Sequence, residues 1–271
     1  MKPFDAYIQP EGTASEAAFE ENPAAEAEAI PRSLVRLEKS IVYSHVTGRK
    51  IDASTVNHQF YDHFKYSLLP KEYSHGKLTI GITSPNPGEG KTLVAANLAA
   101  SLAMANQRET LLIDLNIRRP KCHEIFGTPL APGLLESLYQ PKITVAKTRI
   151  NHLHVLSAGS AADNALESMR INSMKSASPQ ALKPTVGLEQ LTEFRNVLFS
   201  LENAYELVIV DLPSITESAI PTLFTSALGG VIVVVNAGKT KEREVERLLS
   251  TLNESQVLGF VFNRVDKHNL L

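Results

Sequence analysis

Six short runs of apolar and β-branched residues recur from about residue 78 onward, and stretches with helical periodicity separate most of them. The expected strands cover residues 78–84, 110–115, 153–157, 207–212, 230–236 and 257–263. The expected helices cover residues 91–105, 188–202, 218–228 and 241–253. Strands that are apolar throughout, alternating with helices, are typical of a mostly parallel sheet with helices on both faces. We therefore predict an α/β fold in which ligands bind at the carboxyl ends of the strands.

The composition is that of an ordinary globular chain, with 43% hydrophobic and 21% charged residues among 271. A net charge of −2 excludes a global positive field that would hold nucleic acid. The single cysteine, Cys122, excludes an internal disulfide and a multi-cysteine metal site. No run approaches the roughly 18–20 apolar residues of a membrane-spanning helix, and the first residues lack a signal-peptide core. We therefore predict a cytoplasmic protein that reaches the membrane only through a partner.

The amino-terminal region differs in charge from the rest of the chain. Seven carboxylates stand against Lys2 alone in residues 1–30, which predicts a disordered tail. The basic stretch that follows, residues 32–50, is either a solvated linker or a short amphipathic segment that docks on a partner. We expect residues 1–50 to be tail or linker and residues 51–271 to form the domain. Within it, residues 158–187 are rich in Ser, Ala and Pro, which predicts a surface excursion with one short helix at 164–171.

A glycine-rich loop follows the first expected strand directly, with Ser-Pro-Asn-Pro-Gly-Glu-Gly-Lys-Thr at residues 84–92 before an Ala-rich helix. Small residues let successive backbone N–H groups turn towards phosphates, and the helix start adds a positive dipole. In such a loop Lys91 reaches the β- and γ-phosphates and the Thr92 hydroxyl binds Mg²⁺. Pro85 stands where the general pattern has its first glycine. The alternative interpretation is a glycine turn followed by an ordinary surface lysine.

Two of the other expected strands end in an acidic residue, Asp114 and Asp211. A carboxylate at the tip of a buried strand is costly unless it faces a cation or a hydrogen-bond donor. Asp114 therefore positions a metal or a water, or else caps a helix. A phosphate loop combined with two carboxylates at strand ends is the layout of a Mg-nucleotide hydrolase or kinase.

Taken together, the motifs resemble the bacterial tyrosine autokinases of capsule and exopolysaccharide assembly, over roughly residues 55–266. The matching segments are PGEGKT, LLIDLNIRRPKCHEIFG, YELVIVDLPS, VIVVVNAGKTKEREV and GFVFNRV. This family looks like a relative of the cell-division and plasmid-partition P-loop ATPases. Those ATPases carry a signature lysine where this chain has Asn86, so the resemblance favours the kinase-like branch over a partition ATPase.

The resemblance implies a set of site residues. Lys91, Asp114 and Asp211 would be catalytic, and Thr92, Asp114 and Asp211 would hold the metal. The expected nucleotide-binding residues are Pro87, Gly88, Glu89, Gly90, Lys91, Thr92, Leu93, Asn263 and Arg264. The implied cofactors are ATP and Mg²⁺. The implied partner is a membrane polysaccharide co-polymerase that recruits the chain to the inner face of the membrane, with a homo-oligomer left open and no nucleic acid.

Three features depart from the family's pattern. Asn116 replaces the second aspartate of the motif that contains Asp114, which removes a negative charge near the metal. Gln59, Asp62 and Lys65 replace a Glu and two Arg of the oligomerisation helix. The last tyrosine is Tyr205, where the family carries a tyrosine-rich carboxyl-terminal tail. We therefore expect weak or absent autophosphorylation with slow ATP hydrolysis, and any phosphotyrosine that forms should be at Tyr7 or Tyr43.

Two function classes remain open at this point. The first is a tyrosine-kinase-like ATPase that serves polysaccharide polymerisation or export. The second is a nucleotide switch of the same fold that regulates a membrane partner without phosphorylating it. Intact Lys91 and Thr92 favour the enzyme, whereas Asn116 and the missing tyrosine tail favour the switch.

Overall fold

The computed structural model describes residues 40–44, 78–138, 142–160, 188–217 and 224–264. The expectations for the acidic tail, for the helix at Gln59, Asp62 and Lys65, and for the short helix at 164–171 fall outside these residues. So does most of the excursion at 158–187. The domain boundary at residue 51 therefore stays a prediction.

The described residues form one eight-stranded sheet with the order β1-β8-β7-β2-β6-β3-β5-β4. The strands are β1 (Ser40–Ser44), β2 (Leu78–Thr83), β3 (Thr110–Asp114), β4 (Ala146–Lys147), β5 (Leu153–Leu156), β6 (Leu207–Asp211), β7 (Gly230–Asn236) and β8 (Val257–Asn263). All neighbours are parallel except β4, which runs antiparallel to β5 at the edge. This architecture confirms the predicted α/β fold, and the six expected strands agree with it to within one residue at each end.

Two strands were not predicted from the sequence. Strand β1 lies in the basic stretch that was expected to be a linker, and its backbone pairs with β8 from Ser40↔Gly259 to Ser44↔Asn263. Tyr43, expected to be a mobile phosphate acceptor, belongs to this strand and pairs with Phe262. Strand β4 has only two residues, which is too short to show a periodic pattern.

Five α-helices connect the strands in the described part of the chain. They are α1 (Lys91–Asn106), α2 (Cys122–Phe126), α3 (Leu134–Ser137), α4 (Leu188–Ala204) and α5 (Glu242–Leu249). Helices α1, α4 and α5 confirm three predictions, although α5 ends four residues earlier than expected. Most of the helix predicted at 218–228 lies outside the described residues. Within them, Phe224 is α-helical and a 3₁₀ turn follows at Thr225–Ala227.

The helices cover both faces of the sheet, as the alternation of buried side chains along each strand requires. On β6, Ile209 packs in the cluster of helix α1, whereas Val208 and Val210 pack in the cluster that includes Phe194 of helix α4. A third cluster joins α5 to β7 and β8. The sheet is therefore buried on both sides, and its carboxyl edge is left for the loops that carry polar residues.

Helix α4 allows a matched test of this packing. Phe194 is fully buried and meets Phe224 edge to face at 4.5 Å between ring centroids, whereas Phe199 on the same helix is 68% exposed. Phe194→Ala should lower the free energy of unfolding by about 3–5 kcal/mol, because it leaves a cavity. Phe199→Ala should change it by less than about 0.5 kcal/mol. Urea unfolding measures both, and equal effects would contradict the assigned face of α4.

Candidate functional site

The glycine-rich loop lies at the carboxyl edge of the sheet, between β2 and the start of α1. Gly88 and Gly90 have φ values of 82° and 94°, in the left-handed region that favours glycine. A Cβ atom at Gly90 would overlap the side-chain nitrogen of Asn263, so only glycine fits there. A Cβ at Gly88 would meet no described atom within 4 Å. The loop therefore has the backbone of a phosphate cradle and leaves open space above Gly88.

Helix α1 begins at this loop without a cap from any described side chain and without an acidic residue in its first turn. The first N–H groups of a helix have no acceptor within the helix. Here those donors belong to Lys91, Thr92 and Leu93, and they lie at the positive end of the helix dipole. An uncapped helix start of this kind is a site for an anion such as phosphate.

A second loop braces the phosphate loop from the side. The Asn86 side chain donates to Glu244 Oε2 at 2.8 Å, and the Asn86 N–H donates to Glu89 Oε2 at 3.2 Å. The Thr240 hydroxyl donates to the other oxygen of Glu89. Burial raises the pKa of Glu89, and the hydrogen bond from Thr240 partly offsets this. The side chain of Glu89 therefore supports the loop. Contact between the Glu89 backbone and the nucleotide stays a prediction.

Asn263, at the end of β8, supports the loop from below. Its side-chain nitrogen donates to the carbonyl of Glu89 at 2.8 Å, and its side-chain oxygen accepts from the N–H of Arg264 at 2.9 Å. Asn263 is fully buried, whereas Arg264 is exposed. The observed role of Asn263 is thus to hold the phosphate loop, and binding of a nucleotide base by either residue stays a prediction.

Asp114 and Asp211 are directly opposite each other on the neighbouring strands β3 and β6, and both are fully buried. The carboxylate of Asp114 accepts hydrogen bonds from the N–H groups of Asn116 (3.0 Å), Lys121 (2.9 Å) and Cys122 (3.0 Å). The last two bonds cap the start of helix α2, so the cap expected as an alternative for Asp114 is present. By contrast, Asp211 Oδ1 has no hydrogen-bond partner among the described residues.

Burial raises the pKa of both carboxyl groups. The pKa of Asp211 rises to about 7 because burial and the charge of Asp114 outweigh the opposing effects of Lys91 and the Thr92 hydroxyl. Two carboxyl groups this close share a proton near neutral pH unless a cation neutralises them. Buried carboxylate oxygens, one of them without a partner, fit a hard divalent cation such as Mg²⁺. The structure thus brings together Lys91, Thr92, Asp114 and Asp211.

The two arginines after β3 do not contact the phosphate loop. Arg118 donates to the carbonyl of Glu217 at 2.7 Å, and Arg119 lies 3.4 Å from the carboxylate of Glu217. Ser214, just after β6, donates to the other oxygen of that carboxylate at 2.8 Å. The described contacts of both arginines are thus with Glu217 and are typical of pairing near the surface. They connect the loops that follow Asp114 and Asp211.

Several residues of the site were missed from the sequence. Thr240, Glu244 and Glu217 act across loops that are far apart in the chain, so no local pattern marks them. The one available signal was the Ala-Gly-Lys-Thr segment at 237–240, which formed part of the family resemblance. His152 and His154 lie near Glu109, and His152 Nδ1 is 2.8 Å from the Glu109 carboxylate. They lie towards the amino ends of the strands, away from the phosphate loop.

Comparison with known proteins places the chain in a family. Residues 80–271 match the CobQ/CobB/MinD/ParA nucleotide binding domain. The succinoglycan biosynthesis transport protein ExoP of Rhizobium meliloti is 32% identical over 196 residues, which are 70% of this chain but only 23% of ExoP. The tyrosine-protein kinase YwqD of Bacillus subtilis is 28% identical over 198 residues, which are 70% of this chain and 75% of YwqD.

A solved structure agrees with these sequence relatives. The chimerical protein CapA2B2 is 29% identical and superposes with a TM-score of 0.58, covering 72% of this chain and 79% of its own. The kinase-like resemblance inferred from the motifs is therefore confirmed. In the part of the chain that the structure describes, no helix combines the length and apolar character needed to cross a membrane.

Thr240 allows a test of the brace on the phosphate loop. Its hydroxyl donates to the buried carboxylate of Glu89 and accepts from the N–H of Asn236 at 3.1 Å. Thr240→Val should lower the free energy of unfolding by about 1–3 kcal/mol, because it leaves buried polar atoms without partners. Thr240→Ser keeps the hydroxyl and serves as the control. Urea unfolding that finds the Val variant as stable as the Ser variant would contradict the brace.

Proposed function

We propose that this chain, which belongs to the CobQ/CobB/MinD/ParA nucleotide-binding family, binds ATP with Mg²⁺ and acts as a tyrosine-kinase-like P-loop ATPase. We place it in exopolysaccharide or capsule polymerisation or export, in the cytoplasm, together with a membrane co-polymerase. One observation carries the proposal: an uncapped helix start, with open space above Gly88, adjoins a buried pair of carboxylates beside Lys91. N–H donors suited to an anion thus lie next to carboxylates suited to a cation, as Mg-nucleotide binding requires.

Each residue has a defined part in this proposal. The backbone N–H groups from Gly88 to Gly90 and the start of α1 hold the phosphates, and buried Lys91 supplies their counter-charge. Thr92, Asp114 and Asp211 would hold Mg²⁺, which when bound neutralises charge on the transferred phosphoryl group. Three backbone N–H groups fix the carboxylate of Asp114 on the strand next to Asp211. Catalysis of this kind consists mainly of positioning and charge neutralisation.

The proposed pathway and partner rest on relatives. ExoP is named for succinoglycan biosynthesis and transport, and YwqD is named as a tyrosine-protein kinase. The chain matches only about a quarter of ExoP, so the rest of ExoP has no counterpart in the matched segment. The membrane co-polymerase is proposed as the partner because the motifs of this chain resemble the tyrosine autokinases of capsule and exopolysaccharide assembly.

A nucleotide switch without kinase activity is the second candidate. Asn116 supports it, because the carboxylate expected at that position would add charge near the metal. The placement of Tyr205 supports it as well, since this buried residue lies just before β6, at the edge of the sheet opposite to the phosphate loop. A strand of five residues spans about 17 Å, so Tyr205 does not reach the nucleotide site of its own chain. A partition ATPase is less well supported, since Asn86 replaces the signature lysine.

Calorimetry with Mg-ATP tests the nucleotide site. Lys91→Ala should weaken binding by about 2–5 kcal/mol, or more than tenfold in Kd, because the loss of a buried charge leaves the phosphates unpaired. Thr92→Ala should also weaken it. Lys147→Ala is the matched control, because this exposed lysine lies on edge strand β4. The affinity of this variant for Mg-ATP should equal that of the unmodified chain. Unchanged affinity in the first two variants would refute the proposed site.

Phosphate release and phosphotyrosine content distinguish the enzyme from the switch. We expect slow ATP hydrolysis with little phosphotyrosine, and none at buried Tyr205. Asn116→Asp restores the missing carboxylate, so it should raise turnover if metal handling limits the reaction. The same substitution should leave a pure switch without turnover. Mass spectrometry showing rapid, stoichiometric phosphorylation of Tyr205 would contradict this account.

A further inference from the structure

Cys122, the single cysteine of the chain, lies at the first residue of helix α2 and is fully buried. Its Sγ atom is 4.0 Å from Asp211 Oδ2. One ligand atom each from Asp114, Cys122 and Asp211 lies within 4.8 Å of the other two. The Cys122 thiol therefore lies directly beside the two carboxylates. Mg²⁺ prefers oxygen ligands, so a magnesium site alone does not account for a sulfur at this place.

A second observation at the same place points to a ligand. Asp211 is fully buried, yet its Oδ1 atom has no hydrogen-bond partner in the described part of the chain. A buried carboxylate oxygen without a donor is costly, so a cation at this point would remove the cost. The distance from Sγ to Oδ2 is also suitable. It is shorter than the sum of a Zn–S bond of about 2.3 Å and a Zn–O bond of about 2.1 Å.

We propose that Asp114, Cys122 and Asp211 form a mixed oxygen–sulfur site that binds a thiophilic divalent cation such as Zn²⁺ in preference to Mg²⁺ when no nucleotide is present. The site shares its carboxylates with the proposed nucleotide site but does not require that function. On binding, the Cys122 thiol releases its proton to the solvent as the metal–sulfur bond forms. Three protein ligands leave a fourth tetrahedral position for water.

The charges around the site set its selectivity. A cation between the carboxylates reverses the sign of the local field and favours the thiolate. Zn²⁺ gains a strong bond from that thiolate, whereas Mg²⁺ prefers oxygen and leaves the thiol protonated. Lys91 is a positive charge beside the same groups, so it opposes any metal that binds without phosphate.

Cobalt titration of the full chain tests the proposal. After treatment with a chelator and without nucleotide, Co²⁺ should produce a near-ultraviolet sulfur-to-cobalt charge-transfer band that saturates at one ion per chain. Because the chain has one cysteine, such a band reports Cys122 directly. Zn²⁺ should abolish the band at equimolar concentration, and Mg²⁺ at the same concentration should leave it unchanged. Binding of Co²⁺ without this band, or displacement by equimolar Mg²⁺, would overturn the proposal.

Two variants complete the test. Cys122→Ser should remove the band and weaken Co²⁺ binding at least ~10-fold, since even the residues that support a metal ligand contribute this much. Lys91→Ala should tighten Co²⁺ binding and abolish ATP binding, because it removes a competing positive charge and a phosphate contact together. If the band forms and ATP does not bind, the proposed function fails and this site stands. If ATP binds and the band is absent, the reverse holds.

Discussion

The parallel pairing of β3 with β6 places two carboxyl groups opposite each other in the interior of the protein. Two buried negative charges on adjacent strands would strongly destabilise the fold if nothing compensated them. The surrounding residues provide that compensation. Three backbone N–H groups donate to the carboxylate of Asp114. The positive charge of Lys91, which is only 5% exposed, acts on Asp211. The loop before α2 takes its shape from this requirement, since its backbone folds around a carboxylate. The positive end of α1 and the proposed metal ligands therefore lie around one buried pair of carboxyl groups.

The phosphate loop is held from two further sides by residues that lie outside it. Asn263 binds its backbone from β8, and Thr240 with Glu244 binds Glu89 and Asn86 from the β7–α5 connection. A loop rich in glycine has many conformations in the unfolded chain, and ordering it costs conformational entropy. These hydrogen bonds are made between protein groups alone, so they offset part of that entropy cost within the folded chain. Such preorganisation makes a short loop an effective anion site.

The parts of the site that could be predicted are those carried by a continuous stretch of sequence. Lys91 and Thr92 follow a strand and open a helix, and Asp114 and Asp211 end apolar runs, so their positions follow from the period and from parallel topology. Cys122 was not expected beside the carboxylates, because its neighbour Asp211 lies 89 residues further along the chain. The role of Thr240 could not be predicted either, since its partner Glu89 is 151 residues away in the chain. Strand β1 was missed, although Ile41, Val42 and Tyr43 are residue types common in strands, because the basic stretch around it was assigned to a linker or a docking segment.

Strand β1 closes one edge of the sheet by pairing with β8 across more than 200 residues of sequence. A contact between such distant segments carries a high loop-closure entropy, so it should be among the last to form during folding and among the first to open. Opening it would leave the backbone of β8 as a free sheet edge, which can accept another strand. The strand so exposed ends in Asn263, the residue that holds the phosphate loop. A pull on the amino-terminal region would therefore be transmitted to the nucleotide site through one layer of backbone hydrogen bonds.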